Sequence, residues 1–238
     1  MGCSYPPNPE RQNRWYLTLL SPDGARLDDV HSAPVTSRVS VFVGRQCVTL
    51  RQAFGRFPWV GVVAPDGRVA YGDAERFEIG LYRIDPRRPG LGEPEARIRL
   101  DRSAAPVTAA DRREFRERNL ESAERADARI RQYARLVREA LDRYDGYPRT
   151  WPAYVDLRFD DGGRLWAQRP KRPDDRQVFW ELFGRDGRHL GAVAVPAGLE
   201  IHTLRQDGIY GVVRDEFGIQ YVERYRLCDR PGRASRRR

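Results

Sequence analysis

Residues 62–73, VVAPDGRVAYGD, run from apolar residues into a Pro-Asp-Gly turn and out into an aliphatic and aromatic strand. The same order returns at 158–168, RFDDGGRLWAQ, and at 204–213, LRQDGIYGVV. Glycine supplies the positive φ of a tight hairpin turn, and a preceding Asp bonds back into it. The pattern predicts three like hairpins, with strands led by Val69 and Tyr71, Leu165 and Trp166, and Ile209 and Tyr210.

Further hairpins accompany these. Residues 177–196, QVFWELFGRDGRHLGAVAVP, fold around Arg185-Asp186-Gly187, and residues 14–34 around Pro22-Asp23-Gly24. FEIGLYRID (77–85) and IQYVERYRL (219–227) take equivalent strand positions, and the second is expected to put Ile219, Tyr221 and Tyr225 on one side. Four short strands recurring at roughly 40–50 residues is the pattern of β-propeller blades.

Between residues 108 and 146 the period changes. Thr108 with Asp111 resembles a capping box, and Gly146 followed by Pro148 is a stop. Ala126, Ile130, Tyr133, Val137, Leu141 and Tyr144 recur at spacings of three and four, one apolar stripe on a helix. Ten Arg face eight acids from Arg112 to Asp145, so i,i+4 ion pairs on a solvated face are expected. The pattern admits one helix or two, and packing either on its own domain or on another subunit. The resulting division is 1–13 as a disordered N-terminal segment, 14–104 as blades, 105–146 as a helical insertion, 147–228 as further blades, and 229–238 as a basic disordered tail.

The chain of 238 residues carries a formal charge of +9, but Lys171 is its single lysine. A phosphate-binding surface draws on both Arg and Lys, so this one-sided usage argues against a nucleic-acid interface. The tail contributes +4 of the charge by itself. No apolar run approaches a membrane span of roughly 18 residues. The start, MGCSYPPNPE, lacks the basic and apolar regions of an export leader. Cys3, Cys47 and Cys228 are too far apart for a zinc or redox motif, and Cys47 reads as a small buried hydrophobe.

Taken together, VAPDGRVAYGDAERFEIGLYRID, the helical stretch introduced by APVT, LRFDDGGRLWAQ, FGRDGRHLGAVAVP and GVVRDEFGIQYVERYRL resemble the C-terminal portion of bacterial six-bladed β-propeller proteins of the NHL-repeat-like group. The resemblance implies an all-β fold of propeller blades with an α-helical insertion, and a parent protein exported to the periplasm or cell surface. The 173 residues of strand-like sequence outside the insertion make about four blades of the six, at roughly 40–45 residues each.

Candidate chemistry is sparse. His31, His189 and His202 have no second His or carboxylate at metal spacing, so no catalytic, cofactor-binding or metal-ligating residue is assigned. Asp160-Asp161 and Asp215-Glu216 fall at turns, where Asp bonds locally. Trp15, Trp59, Trp151, Trp166 and Trp180 lie in or beside strands and are expected to fill space between blades. The Pro-rich excursions 86–94 and 169–175, and the helical insertion, are where a partner would be sought. The expectation is a non-enzymatic scaffold or binding module without a cofactor, engaging an unknown protein or small molecule through loops of one face. A propeller-type hydrolase or lyase with a central-channel metal is the alternative, and nucleic-acid binding through the basic tail a third reading.

Overall fold

The computed structural model describes residues 14–20, 26–34, 38–51, 54, 59–64, 66–85, 91–102, 104–125, 131–172 and 175–227. The two terminal segments assigned above as disordered lie outside these residues. Fifteen strands and two helices are described, and every strand pairing is antiparallel.

Two separate hairpins come first, β1 (Arg14–Leu20) with β2 (Arg26–Pro34) and β3 (Arg38–Val43) with β4 (Gln46–Arg51). Strands β5 (Trp59–Val63), β6 (Arg68–Asp73), β7 (Glu78–Arg83) and β8 (Ala96–Arg99) make a four-stranded meander. A second meander joins β9 (Asp156–Phe159), β10 (Leu165–Gln168), β11 (Gln177–Phe183) and β12 (His189–Pro196). The last sheet has three strands, β13 (Glu200–Arg205), β14 (Gly208–Arg214) and β15 (Gln220–Arg226).

These three sheets stack in chain order, and β10 shows why. Leu165 and Ala167 face the preceding sheet, where they pack with Ile79, Leu81 and Ile98. Trp166 points the other way, onto Ile201, Leu204 and Ile209 of the following sheet. A period of two thus buries opposite faces of one strand in two separate cores. All three residues are fully enclosed.

One five-residue turn closes four of the hairpins, at 64–68, 160–164, 184–188 and 215–219. In each, the first amide donates to the fifth carbonyl and the fourth amide to the first carbonyl. The fourth position is always glycine at positive φ (Gly67, Gly163, Gly187 and Gly218, 73–81°), as a type I turn followed by a left-handed residue demands. The third repeat recognised in the sequence departs from this, because Gly208 is absent from the positive-φ residues and begins β14.

The insertion is two helices, α1 (Ala109–Arg125) and α2 (Arg131–Arg143). Thr108 Oγ1 accepts from the Asp111 amide at 3.2 Å while Asp111 Oδ2 accepts from the Thr108 amide at 2.7 Å, the predicted capping box. Glu114–Arg118, Glu121–Arg125 and Arg135–Glu139 form the expected i,i+4 pairs. The helices pack in cis: Val137, Ala140, Leu141 and Tyr144 meet Val43, Val48 and Leu50 of the β3–β4 hairpin. The apolar stripe needs one correction, since Tyr133 is exposed, while Ala126 and Ile130 lie outside the described residues. The neck of the insertion is closed by an isolated bridge between Pro106 and Thr150.

One other expectation is corrected. Cys47 is disulfide-bonded and half-buried rather than a buried hydrophobe; Cys3 and Cys228 lie outside the described residues. On β15, Tyr221 and Tyr225 share one face as the alternation expects; Tyr225 packs against the core, while Tyr221, and Ile219 just before the strand, are exposed where the apolar core beneath the sheet ends.

Candidate functional site: a buried carboxylate held by two arginines and a histidine

Strand β11 reads QVFWELF, with a single acid among apolar residues. Val178 and Trp180 enter the core shared with the last sheet, so Glu181 faces the opposite way with Phe183. Its cross-strand neighbours are Ala167 and Ala192, whose small side chains leave room for a carboxylate and the groups that bind it. Glu181 has no exposed surface.

Three elements supply its partners. Arg102, in the segment after β8, donates from Nη1 to Oε1 at 2.7 Å. Arg169, just past β10, donates to the same oxygen from Nε at 2.7 Å, with Nη2 at 2.6 Å, and its guanidinium lies over the Phe179 ring. His189, at the start of β12, places Nε2 2.8 Å from Oε2, its ring 5.2 Å from that of Phe183. If Nε2 carries the proton it donates, Nδ1 is left as an acceptor. Burial pushes the Glu181 carboxyl up, but the His189 hydrogen bond, then the Arg169 bonds and the charges of Arg169 and Arg102, hold it below its ordinary value.

The three side chains stay partly exposed, 44% for Arg102, 27% for Arg169 and 39% for His189. Arg102 also lines an open cleft of about 450 Å³, together with Arg76, Arg99, Glu75, Glu78 and Asp101. Chemically, the enclosed carboxylate is an orienting anion, and the groups it presents outward are two guanidinium forks and an imidazole.

Asp160 and Asp215 bond within their turns as expected, whereas Asp161 accepts from the Gln206 amide of the next sheet at 2.7 Å. Asp160 accepts from the Gly162 and Arg164 amides, from Arg164 Nε and from Trp166 Nε1. Asp215 accepts from the Phe217 and Ile219 amides. Trp166 and Trp180 fill the core between sheets, and Trp151 stands edge-on to Phe54 with centroids 4.6 Å apart; the side chains of Trp15 and Trp59 are not among those described. His202 is exposed, 3.7 Å from Glu200. His31 lies within β2. Among the described residues no group of three or more His, Cys, Asp or Glu could hold a metal ion, and no helix is long and apolar enough to cross a membrane.

Sequence reading passed over Glu181, Arg102 and Arg169, and it left His189 without a carboxylate. The signal was the lone acid inside an apolar strand, eight residues before a histidine across a hairpin. No family model matches this chain, and neither a curated protein nor a solved structure does.

Proposed function

We infer that the chain is a β-propeller-type binding module, that its stacked sheets are blades, about four of a six-bladed ring, and that it is non-enzymatic. One observation carries the blade reading. Arg68 and Arg164 occupy the fifth position of the same turn in successive sheets, and each reaches into a turn of the next sheet. Arg68 donates to the Gly163 and Arg185 carbonyls, and Arg164 to the Gln206 carbonyl. Consecutive antiparallel meanders packed face to face, joined turn to turn at one end, are the arrangement of propeller blades. Such scaffolds carry recognition on their loops.

The disulfide at Cys47 supports a periplasmic or cell-surface location for the parent protein, because thiols stay reduced in the cytosol.

A second reading, a propeller-type hydrolase or lyase, is favoured by the His189–Glu181 pair, which has the polarity of an acid–base couple. The two readings separate in one assay. Purified chain is incubated with lactone, ester and acidic polysaccharide substrates, with Ca²⁺ or Zn²⁺ added. The binding module gives no turnover above a protein-free control. Turnover that disappears in H189Q, or in D215N/E216Q, overturns it.

A further inference from the structure

We propose that Arg102 and Arg169, held by Glu181, form a binding site for an oxyanion, a carboxylate or phosphate group on a small ligand. The inference names a ligand class for the binding module and rests on that reading.

The charges do not balance. One carboxylate faces two permanent cations, so the cluster keeps a positive excess even with His189 neutral. The hydrogen bonds do not balance either. Arg102 uses Nη1 and Arg169 uses Nε and Nη2 on Glu181, which leaves Arg102 Nε and Nη2 and Arg169 Nη1 without a partner among the described residues. Guanidinium forks with spare N–H groups match the two-oxygen edge of a carboxylate or phosphate.

Preorganisation is the stronger point. A solvent-exposed Arg must be immobilised when it binds an anion, at roughly 0.5–1.5 kcal/mol per side chain. Here the buried carboxylate, and for Arg169 the Phe179 ring, already hold the groups in place. Glu181 itself is saturated on both oxygens and offers an incoming anion no free face.

The surroundings set the size of the ligand. In the adjoining cleft Glu78 is paired with Arg99, and apart from Arg102 the lining carries three acids (Glu75, Glu78 and Asp101) against two arginines (Arg76 and Arg99). The positive region is thus confined to the Arg102 end, which suits a single oxyanion group and repels an extended polyanion.

The test is calorimetric titration of the full chain with inorganic phosphate and, separately, malonate, at constant ionic strength set with sodium chloride. Saturable binding of at least one is expected, weakened about tenfold or more in R102Q and unchanged in R135Q, whose Arg lies on the exposed side of α2. Preference for phosphate or for malonate assigns the ligand group. E181Q raises the positive charge while removing the orienting anion, so binding is expected to weaken there; tighter binding would mean that net charge alone attracts the anion, and overturns the site. Absence of saturable binding through the millimolar range overturns it too, as does equal affinity in R102Q. Near-UV circular dichroism checks that each variant is folded, and half-exposed Arg102 carries the test if R169Q or E181Q is not. Failure here leaves the non-enzymatic reading standing, because the turnover assay decides that separately.

Discussion

Arg68 Nη2 donates to the carbonyl oxygen of Gly163 at 2.9 Å, joining residues 95 positions apart. The guanidinium is nearly buried, and its other donors reach the Arg185 carbonyl at 3.2 Å and the Asp66 carboxylate at 2.9 Å. It also lies 5.5 Å from the centroid of the Phe159 ring. One side chain therefore ties the turn of one sheet to two turns of the next.

Replacing it should loosen the stack rather than a single hairpin. R68M keeps the aliphatic bulk but takes this donor from two carbonyls and leaves Asp66 with Arg185 as its remaining side-chain partner, a loss of about 2–4 kcal/mol. R68K retains the charge but not the fork, and is expected to recover only part. Urea unfolding followed by tryptophan fluorescence measures both. Stability within error of wild type in R68M would remove this contact from the account of how the sheets are held.

Gly72 and Gly44 separate two reasons for glycine. A Cβ on Gly72 would lie 2.0 Å from the Glu78 carbonyl oxygen and 2.8 Å from Ile79 Cα, so the obstacle is backbone across the β6–β7 pairing. Gly44 has φ +59 and open space around a Cβ, so only conformational strain opposes Ala there. G72A should cost about 3 kcal/mol or more, and G44A about 1 kcal/mol. Melting temperatures of the two variants give the order, and a reversal would contradict the packing described at Gly72.

The α1 cap should be cooperative with the segment beyond the insertion. T108A removes a side-chain acceptor and is expected to cost about 1 kcal/mol. D111A should cost more, because Asp111 Oδ2 also accepts from Trp151 Nε1 at 3.3 Å. The double variant should fall short of the sum of the two, since both remove the same reciprocal bonds. A chemical-denaturation cycle over the three variants reads the coupling.

The hairpins were legible in the sequence because their chemistry is local. Pro-Asp-Gly or Asp-Gly-Gly between apolar runs specifies a turn whatever surrounds it. The cap at Thr108 and Asp111 was legible for the same reason. The Glu181 cluster was legible only in its hairpin pair, Glu181 and His189, because Arg102 comes from the end of the preceding sheet and Arg169 from another strand end, and nothing in their spacing marks those two as neighbours. Tyr133 failed for a related reason: periodicity gives a helix face, while the partner hairpin covers only the end of α2 near Val137 and Leu141.

The disulfide at Cys47 predicts a thiol count. With three cysteines in the chain and one intramolecular bridge, a single free thiol should react in denaturant without reductant, rising to three after reduction. Titration with an aromatic disulfide reagent gives the number. Three reactive thiols before reduction would withdraw the bridge, and with it the support for an oxidising compartment.

Acid should attack the Glu181 cluster first through Glu181 itself. Its carboxyl is held below the ordinary 4.5 in the folded chain, so the unfolded chain binds the proton more readily. The stabilisation this provides is fully present above that ordinary value and is lost as pH falls through the lower folded value. Unfolding free energy should therefore decline from roughly pH 5 to pH 3. E181Q has no carboxyl to titrate, so its decline should be shallower, with a residual slope from Asp66 and Asp111, whose carboxyls are also held low. At neutral pH it should be less stable by about 1–3 kcal/mol, because Arg102 and Arg169 lose their counter-charge. Urea titrations at several pH values supply both quantities. Parallel curves for wild type and E181Q would mean that Glu181 is not the charged centre around which Arg102, Arg169 and His189 are arranged.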